Sequence, residues 1–298
     1  MEMKDDEVAS HVHSAWCLLV STIVLGMYPG SHLITCFTAA VSGVTVVATS
    51  SLRSVIRWCS KESLLTQCGL DLLCGLELCM CGYELGVILD IYSAPVYCLY
   101  LWTVLVWQGL AWAAASPSPH TQLVHWAGGH QTLAAALLRS AAGLAGALAS
   151  YTAMAAVWRW DLSHFHEGRE LAAAGGQCAG DLQVSLAAGA LVELLGSLLC
   201  FLAGAVLADL PSTAARPQLS LGLESAAGVA AVMAGFELTG GYYSPALALG
   251  TKLGCGQESL PAHLLVYTLA PCAGALLAAP LHQAAKQMFY PDTKKKIS

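Results

Sequence analysis

Charge is what this chain has least of. Asp, Glu, Lys and Arg make up 11% of its 298 residues, against about 25% in soluble domains, while 56% are apolar and mean hydropathy is +0.62. That balance excludes an ordinary water-soluble globule and implies a polytopic membrane protein. Basic surface is equally scarce. The net charge is −6 and the only run of lysines is Lys294-Lys295-Lys296, so no face can neutralise the phosphates of a nucleic acid. Catalytic signatures are missing as well: there is no Gly-x-Ser-x-Gly elbow and no His-Glu-x-x-His pair, which argues against a hydrolase. His11, His13, His120, His125, His130, His164 and His166 have no cysteine or second histidine pair at zinc-site spacing. The expectation is a protein without metal or cofactor that is not an enzyme.

Cysteine, by contrast, is plentiful. Most of the twelve stand inside apolar runs (Cys17, Cys36, Cys68, Cys74, Cys79, Cys81, Cys98, Cys200, Cys272), where a thiol behaves as a small apolar residue. Cys178 and Cys255 are the exceptions, in or at the edge of expected loops.

The most informative stretch is Thr239-Gly240-Gly241-Tyr242-Tyr243-Ser244-Pro245-Ala246-Leu247-Ala248-Leu249-Gly250, with a fainter copy at Ala113-Ala114-Ala115-Ser116-Pro117-Ser118-Pro119. Each copy reaches Ser-Pro-small and then opens an apolar run too short to cross a bilayer. Proline suits the first turn of a helix, because its missing N–H would have no partner there. The spacing predicts half-helices starting at Pro117 and Pro245, with Ser116 and Ser244 as N-caps. Two short Pro-opened segments in matching halves point to paired re-entrant elements around a midplane pathway.

The rest of the chain repeats around them. Residues 1–57 form an N-terminal extension with apolar segments at 15–28 and 33–52. Residues 58–160 form a first half-repeat with the Ser-Pro-Ser element, 161–182 a connecting loop, 183–285 a second half-repeat with the Ser-Pro-Ala element, and 286–298 a basic cytosolic tail. Asp71 precedes Pro117 by 46 positions and Glu193 precedes Pro245 by 52. Each half therefore holds an acidic helix, a second helix, a half-helix and a closing helix, and three spans per half invert the second half relative to the first. If the tail is cytosolic, that side receives Arg53, Arg57, Lys61, Arg216, Lys286 and the tail lysines, and the other only Arg159, Arg169 and Lys252, as the positive-inside tendency requires. Trp58, Trp112, Trp126, Trp158 and Trp160 fall near expected helix ends and read as interfacial anchors.

On these motifs the chain resembles the aquaporin family, in its unorthodox intracellular branch (aquaporins eleven and twelve), over roughly residues 31 to 298. Further echoes of that branch are Leu78-Cys79-Met80-Cys81 with Glu84-Leu85, and Trp158-Arg159-Trp160-Asp161-Leu162-Ser163. The resemblance implies an all-α fold: an inverted repeat of six transmembrane helices plus two re-entrant half-helices, here with an extra N-terminal apolar helix. Ser116-Pro117-Ser118 and Ser244-Pro245-Ala246 stand where the family carries Asn-Pro-Ala. Leu247 stands where a selectivity arginine is usual, with Gly241 and Val232 at the other constriction positions. Leucine supplies none of the fork of donors that arginine does, so the constriction is apolar. Asp71 and Glu193 match the acids that brace the re-entrant loops; read from the residues alone, intramembrane carboxylates also fit an ion path. Cys255 matches a branch cysteine connected with assembly or redox sensitivity, and also reads as a small packed residue. Lys295 and Lys296, third and fourth from the end, resemble an endoplasmic-reticulum retrieval signal read by a coat, and also suit a basic tail on anionic lipid.

The functional expectation is a passive channel for water and small neutral solutes, glycerol and hydrogen peroxide among them, as a homotetramer in the endoplasmic reticulum or another intracellular membrane. A non-conducting aquaporin-like structural protein and a proton-coupled transporter using Asp71 and Glu193 are the alternatives.

Overall fold

The computed structural model of the chain describes residues 32–59, 63–113, 115–160, 178–256 and 258–289. All regular structure among them is helical. The order is α1 (His32–Cys59), α2 (Leu64–Ile91), α3 (Ala94–Trp112), α4 (Pro119–Ala127), α5 (Leu133–Trp158), α6 (Leu186–Asp209), the single turn α7 (Pro211–Ala214), α8 (Pro217–Thr239) and α9 (Pro245–Lys252). Last comes α10 (Leu260–Leu264), which runs through a π-helical turn (Leu265–Leu269) into α11 (Ala270–Phe289). Among the described residues, six helices are long and apolar enough to cross a membrane: α2, α3, α5, α6, α8 and the continuous run Leu260–Met288. With nine and eight residues, α4 and α9 rise about 12–14 Å, far short of a hydrocarbon core of about 30 Å.

Local chemistry sets the helix starts. The hydroxyls of Ser63, Thr132 and Ser185 accept the N–H groups of Thr66, Ala135 and Ala188, satisfying donors that have no partner within the helix. Proline stands in the first turn of α3, α4 and α8 and opens α9.

The chain forms two compact units, Met1–Gly180 with Pro245–Leu260, and Asp181–Ser244 with Pro261–Ser298. In the first, α2 and α5 cross in backbone contact. A Cβ on Gly75 would lie 2.1 Å from the carbonyl oxygen of Gly143, and one on Gly146 would lie 1.9 Å from that of Leu72. Small residues permit such approach where both helices are equally apolar and no hydrophobic drive favours contact. The short helix α9, which the sequence repeat assigns to the second half, packs in this unit against α2 and α5. Its Ala246 joins Cys79 and Ala147 in one buried cluster, and the Tyr83 hydroxyl donates to the carbonyl of Gly250 at 2.8 Å.

In the second unit, α6 lies between α8 and α11. Gly274 presses on the backbone of Leu194, where a Cβ would stand 2.1 Å from the carbonyl oxygen, and the Ser197 hydroxyl donates to Pro271 O at 2.8 Å. The outer side of α6 leaves Leu191, Leu195 and Leu199 exposed at four-residue intervals, an apolar stripe of the kind that faces lipid.

Three sequence expectations change here. Arg53, counted with the cations on the tail's side of the membrane, is a buried member of α1 paired with Glu77, where each charge offsets the cost of burying the other. Trp112 and Trp158, expected at the interface, turn inward instead: Trp112 donates to Glu77, and Trp158 is buried with Val41 and Met154. Trp58 and Trp160 do stand exposed. The apolar segment 15–28, Lys61, Arg169, the histidines at 11, 13, 164 and 166, and the tail lysines lie outside the described residues.

Candidate functional site

The first Ser-Pro element begins where α3 stops. Ala113 has φ 53°, a left-handed backbone uncommon outside glycine, and residues 115–118 have no regular structure. Along that run the Ser116 N–H donates to Asp71 Oδ1 at 2.8 Å, and the Ser116 carbonyl accepts from Gln122 Nε2 at 2.9 Å. The backbone of Pro117 packs against α5 at Gly143, where a Cβ would come 2.1 Å from the Pro117 carbonyl oxygen.

The helix therefore starts two residues later than the sequence suggests: Ser118 is the N-cap residue and Pro119 the first residue of α4. The reason lies in the two prolines. A residue preceding proline is disfavoured in helical conformation; Ser118, at φ −101° and ψ 133°, is extended, so no helix runs from Pro117 through Pro119. Ser118 is 3% exposed, and its Oγ faces the N–H of Ala246 at 3.5 Å. Ala246 is the second residue of α9, whose first-turn donors have no acceptor within their own helix. The serine that opens one half-helix thus caps the other.

Asp71 is fully buried and held on two sides. Arg139 of α5 forks onto it, with Nε 2.6 Å from Oδ2 and Nη2 3.1 Å from Oδ1. The same guanidinium reaches Gln131 Oε1 at 3.3 Å, and Gln131 Nε2 donates to both the carbonyl and Oε1 of Gln122 at 2.9 Å. Through Gln122 the ring closes on Ser116. Bidentate pairing of this kind fixes orientation as well as charge.

The second Ser-Pro element is built on Glu193 by different chemistry. Gly240 (φ 83°) ends α8, and Gly241 (φ 62°) and Tyr243 (φ 50°) continue in left-handed conformations. Glu193 accepts from Thr239 Oγ1 at 2.6 Å, from the Tyr242 N–H at 3.2 Å and from the Tyr243 N–H at 2.7 Å. The Tyr243 hydroxyl reaches back to the carbonyl of Ala231 at 2.8 Å, and its ring occupies the room left by Gly196 and Gly235. Tyr267, in the π-helical turn, donates to the Thr239 carbonyl at 3.0 Å; π-turns recur at functional places in helices. Glu193 has neutral donors only among these contacts, whereas Asp71 has a cation.

Of the constriction residues, Gly241 and Val232 adjoin in the second unit, since a Cβ on Gly241 would stand 2.5 Å from the Val232 carbonyl oxygen. Leu247 lies in the first unit against the Cys79 cluster and Gly82. Cys255 is disulfide-bonded to Cys178, so its thiol is used within the chain. The Gly256 N–H donates to Cys178 O at 2.8 Å and Lys252 Nζ to Ala179 O at 3.3 Å, which stitches the segment after α9 to the segment before α6.

Sequence reasoning missed Arg139, Gln122, Gln131, Thr239, Tyr242 and Tyr243. Arg139 carried a usable signal: it is a lone cation inside the 26-residue Ala/Gly-rich α5, and an ionisable group in such a span demands a partner. The two tyrosines act through backbone N–H groups, which composition does not reveal.

Fold and site together define an all-α polytopic integral membrane protein with two short proline-started helices, in which buried carboxylates hold the chain segments that precede those helices in sequence. No family model matches the chain. It is 31% identical to aquaporin-11 of Equus caballus over 212 residues, covering 70% of this chain and 74% of that protein. Human aquaporin-11 is 30% identical over 212 residues (70% and 74%), and human putative aquaporin-12A 29% over 218 residues (71% and 72%). The chain belongs to the aquaporin family, in the branch resembling aquaporins eleven and twelve, and is not an enzyme.

Proposed function

We propose that this protein is a passive channel for water and small neutral solutes, with glycerol and hydrogen peroxide as candidates, in an intracellular membrane. The observation that carries the reading is the contact of Ser118 Oγ with the Ala246 N–H, which brings the starts of two half-helices together. In this reading α4 and α9 re-enter the bilayer from opposite faces. Each helix start carries a partial positive charge of about half an elementary charge, which opposes cations and protons and leaves neutral molecules little affected. Val232, Gly241 and Leu247, the residues that match the family's constriction, bring no cation and no donor fork, which favours less polar solutes. Asp71 and Glu193 serve as loop braces, since every donor they satisfy belongs to loop backbone or to a side chain that holds a loop.

The Cys178–Cys255 bond supports an orientation with that face in an oxidising lumen. The homotetramer and the retrieval role of Lys295 and Lys296 rest on the family resemblance and belong to the same proposal. Stopped-flow light scattering of proteoliposomes in a glycerol gradient, with an entrapped peroxide dye in a parallel run, tests the reading. Solute entry above empty vesicles is expected. Entry at the empty-vesicle rate from folded protein would favour the non-conducting reading, and entry that needs a pH gradient and vanishes in Asp71→Asn would favour the transporter.

A further inference from the structure

The N-terminal helix α1 meets the rest of its unit through polar contacts buried at a sensitive point. Arg53 and Glu77 form an ion pair at 2.6 Å with side chains 1% and 0% exposed. Glu77 Oε2 also accepts the Thr49 hydroxyl, and Glu77 Oε1 accepts Trp112 Nε1 at 3.2 Å. Arg53 Nη2 is held in turn by Ser50 Oγ at 2.9 Å. One turn further along α1, Arg57 Nη2 lies 3.5 Å from the Trp112 carbonyl, which also accepts the Ala115 N–H at 3.1 Å.

Trp112 is the last residue of α3, and the next residue is the left-handed Ala113. Three residues beyond lies the Ser116 N–H on Asp71, and two more lead to Ser118. The contacts of α1 therefore converge on the joint at which α3 ends and the first Ser-Pro loop departs. A cation and a carboxylate buried together in an apolar span are costly unless their geometry is well matched, and removing one partner strands the other.

We propose that α1 is a working part of the channel, in which Arg53, acting through Glu77 and Trp112, is a positioning residue for the loop 113–118 and hence for Ser118. The inference rests on the channel reading for its functional meaning, but its geometry is testable without flux. Arg53 fixes the Glu77 carboxylate, that carboxylate fixes the Trp112 indole, and the indole fixes the direction in which the loop leaves α3. The extra helix supports the first Ser-Pro loop from outside the repeated core, whereas Glu193 takes its donors from Thr239 at the end of α8 and from the backbone that follows.

The test uses the full-length protein carrying Ser116→Cys, with alkylation of that cysteine followed site by site by mass spectrometry. Labelling should be slow with the native pair and faster by on the order of tenfold or more in Arg53→Ala. The reversed pair Arg53→Glu with Glu77→Arg keeps both charges but leaves Trp112 Nε1 without its acceptor, so it too should label fast. Where Arg53→Ala yields little folded protein, Arg53→Met with Glu77→Leu removes both charges and still deprives Trp112 and Thr49 of their acceptor. It is expected to fold and to label fast. Native-rate labelling in folded Arg53→Ala or in the Met/Leu pair would overturn the inference. A wild type that conducts nothing would leave these rates unchanged and would count only against the channel.

Discussion

The backbone N–H of Tyr243 stands 2.7 Å from Glu193 Oε2, while the tyrosine's own ring fills the space left open by two glycines, Gly196 and Gly235. Tyr243 keeps a left-handed φ of 50° under this double hold, and Ser244-Pro245 follows directly. Strained backbone at such a place persists because the surroundings over-determine it.

A methyl group at Gly196 tests that hold. A Cβ there would lie 1.9 Å from the Tyr243 ring, so Gly196→Ala should displace the ring and lower stability by about 1–3 kcal/mol. Thermal unfolding in detergent measures it. An unchanged midpoint would mean that the ring is not confined.

The Asp71–Arg139 pair should behave as a unit. Arg139→Ala leaves a fully buried carboxylate without its cation, and a loss of about 3–5 kcal/mol is expected. Asp71→Asn with Arg139→Met, which removes both charges, should recover most of that loss. A double variant no better than Arg139→Ala would show that the cation serves something other than Asp71.

The register of the first half-helix separates two neighbouring serines. Ser118→Ala removes the acceptor facing the Ala246 N–H and should cost about 0.5–2 kcal/mol, the usual effect of losing a cap. Ser116 acts through its backbone N–H and carbonyl, so Ser116→Ala should stay within about 0.5 kcal/mol of wild type. The reverse order would restore the sequence reading, in which Ser116 is the cap.

Cys255 should be found with Cys178 and not across subunits. Non-reducing peptide mapping is expected to give one linked pair, and Cys255→Ser, Cys178→Ser and the double variant should each lose a similar amount, about 2–4 kcal/mol. A Cys255-dependent dimer on a non-reducing gel would contradict the intrachain bond.

Much of this was legible in the sequence, for identifiable reasons. The six spans announced themselves because membrane helices are continuous apolar runs, and Pro245 marked the start of α9 because proline suits that place and few others. The first half-helix was misplaced by two residues since Ser-Pro-Ser-Pro offers two starts, and only the contacts of Ser116 with Asp71 and of Pro117 with Gly143 decide between them. Arg53, near the end of an apolar run, looks the same in sequence whether it faces water or a buried Glu77. Nothing in one dimension tells that α9 packs with the first unit. That placement depends on Gly250 fitting against Cys79 and Ala147, a match between residues far apart in the chain.

The central claim is that the paired half-helices admit neutral molecules and refuse protons. Its most direct test is a single set of proteoliposomes loaded with a pH-sensitive dye, followed first under an osmotic step and then under a pH step. The account predicts water efflux faster than in empty vesicles with proton leak at the lipid level. Water efflux at the empty-vesicle rate, or a proton leak that rises with it, would contradict the account.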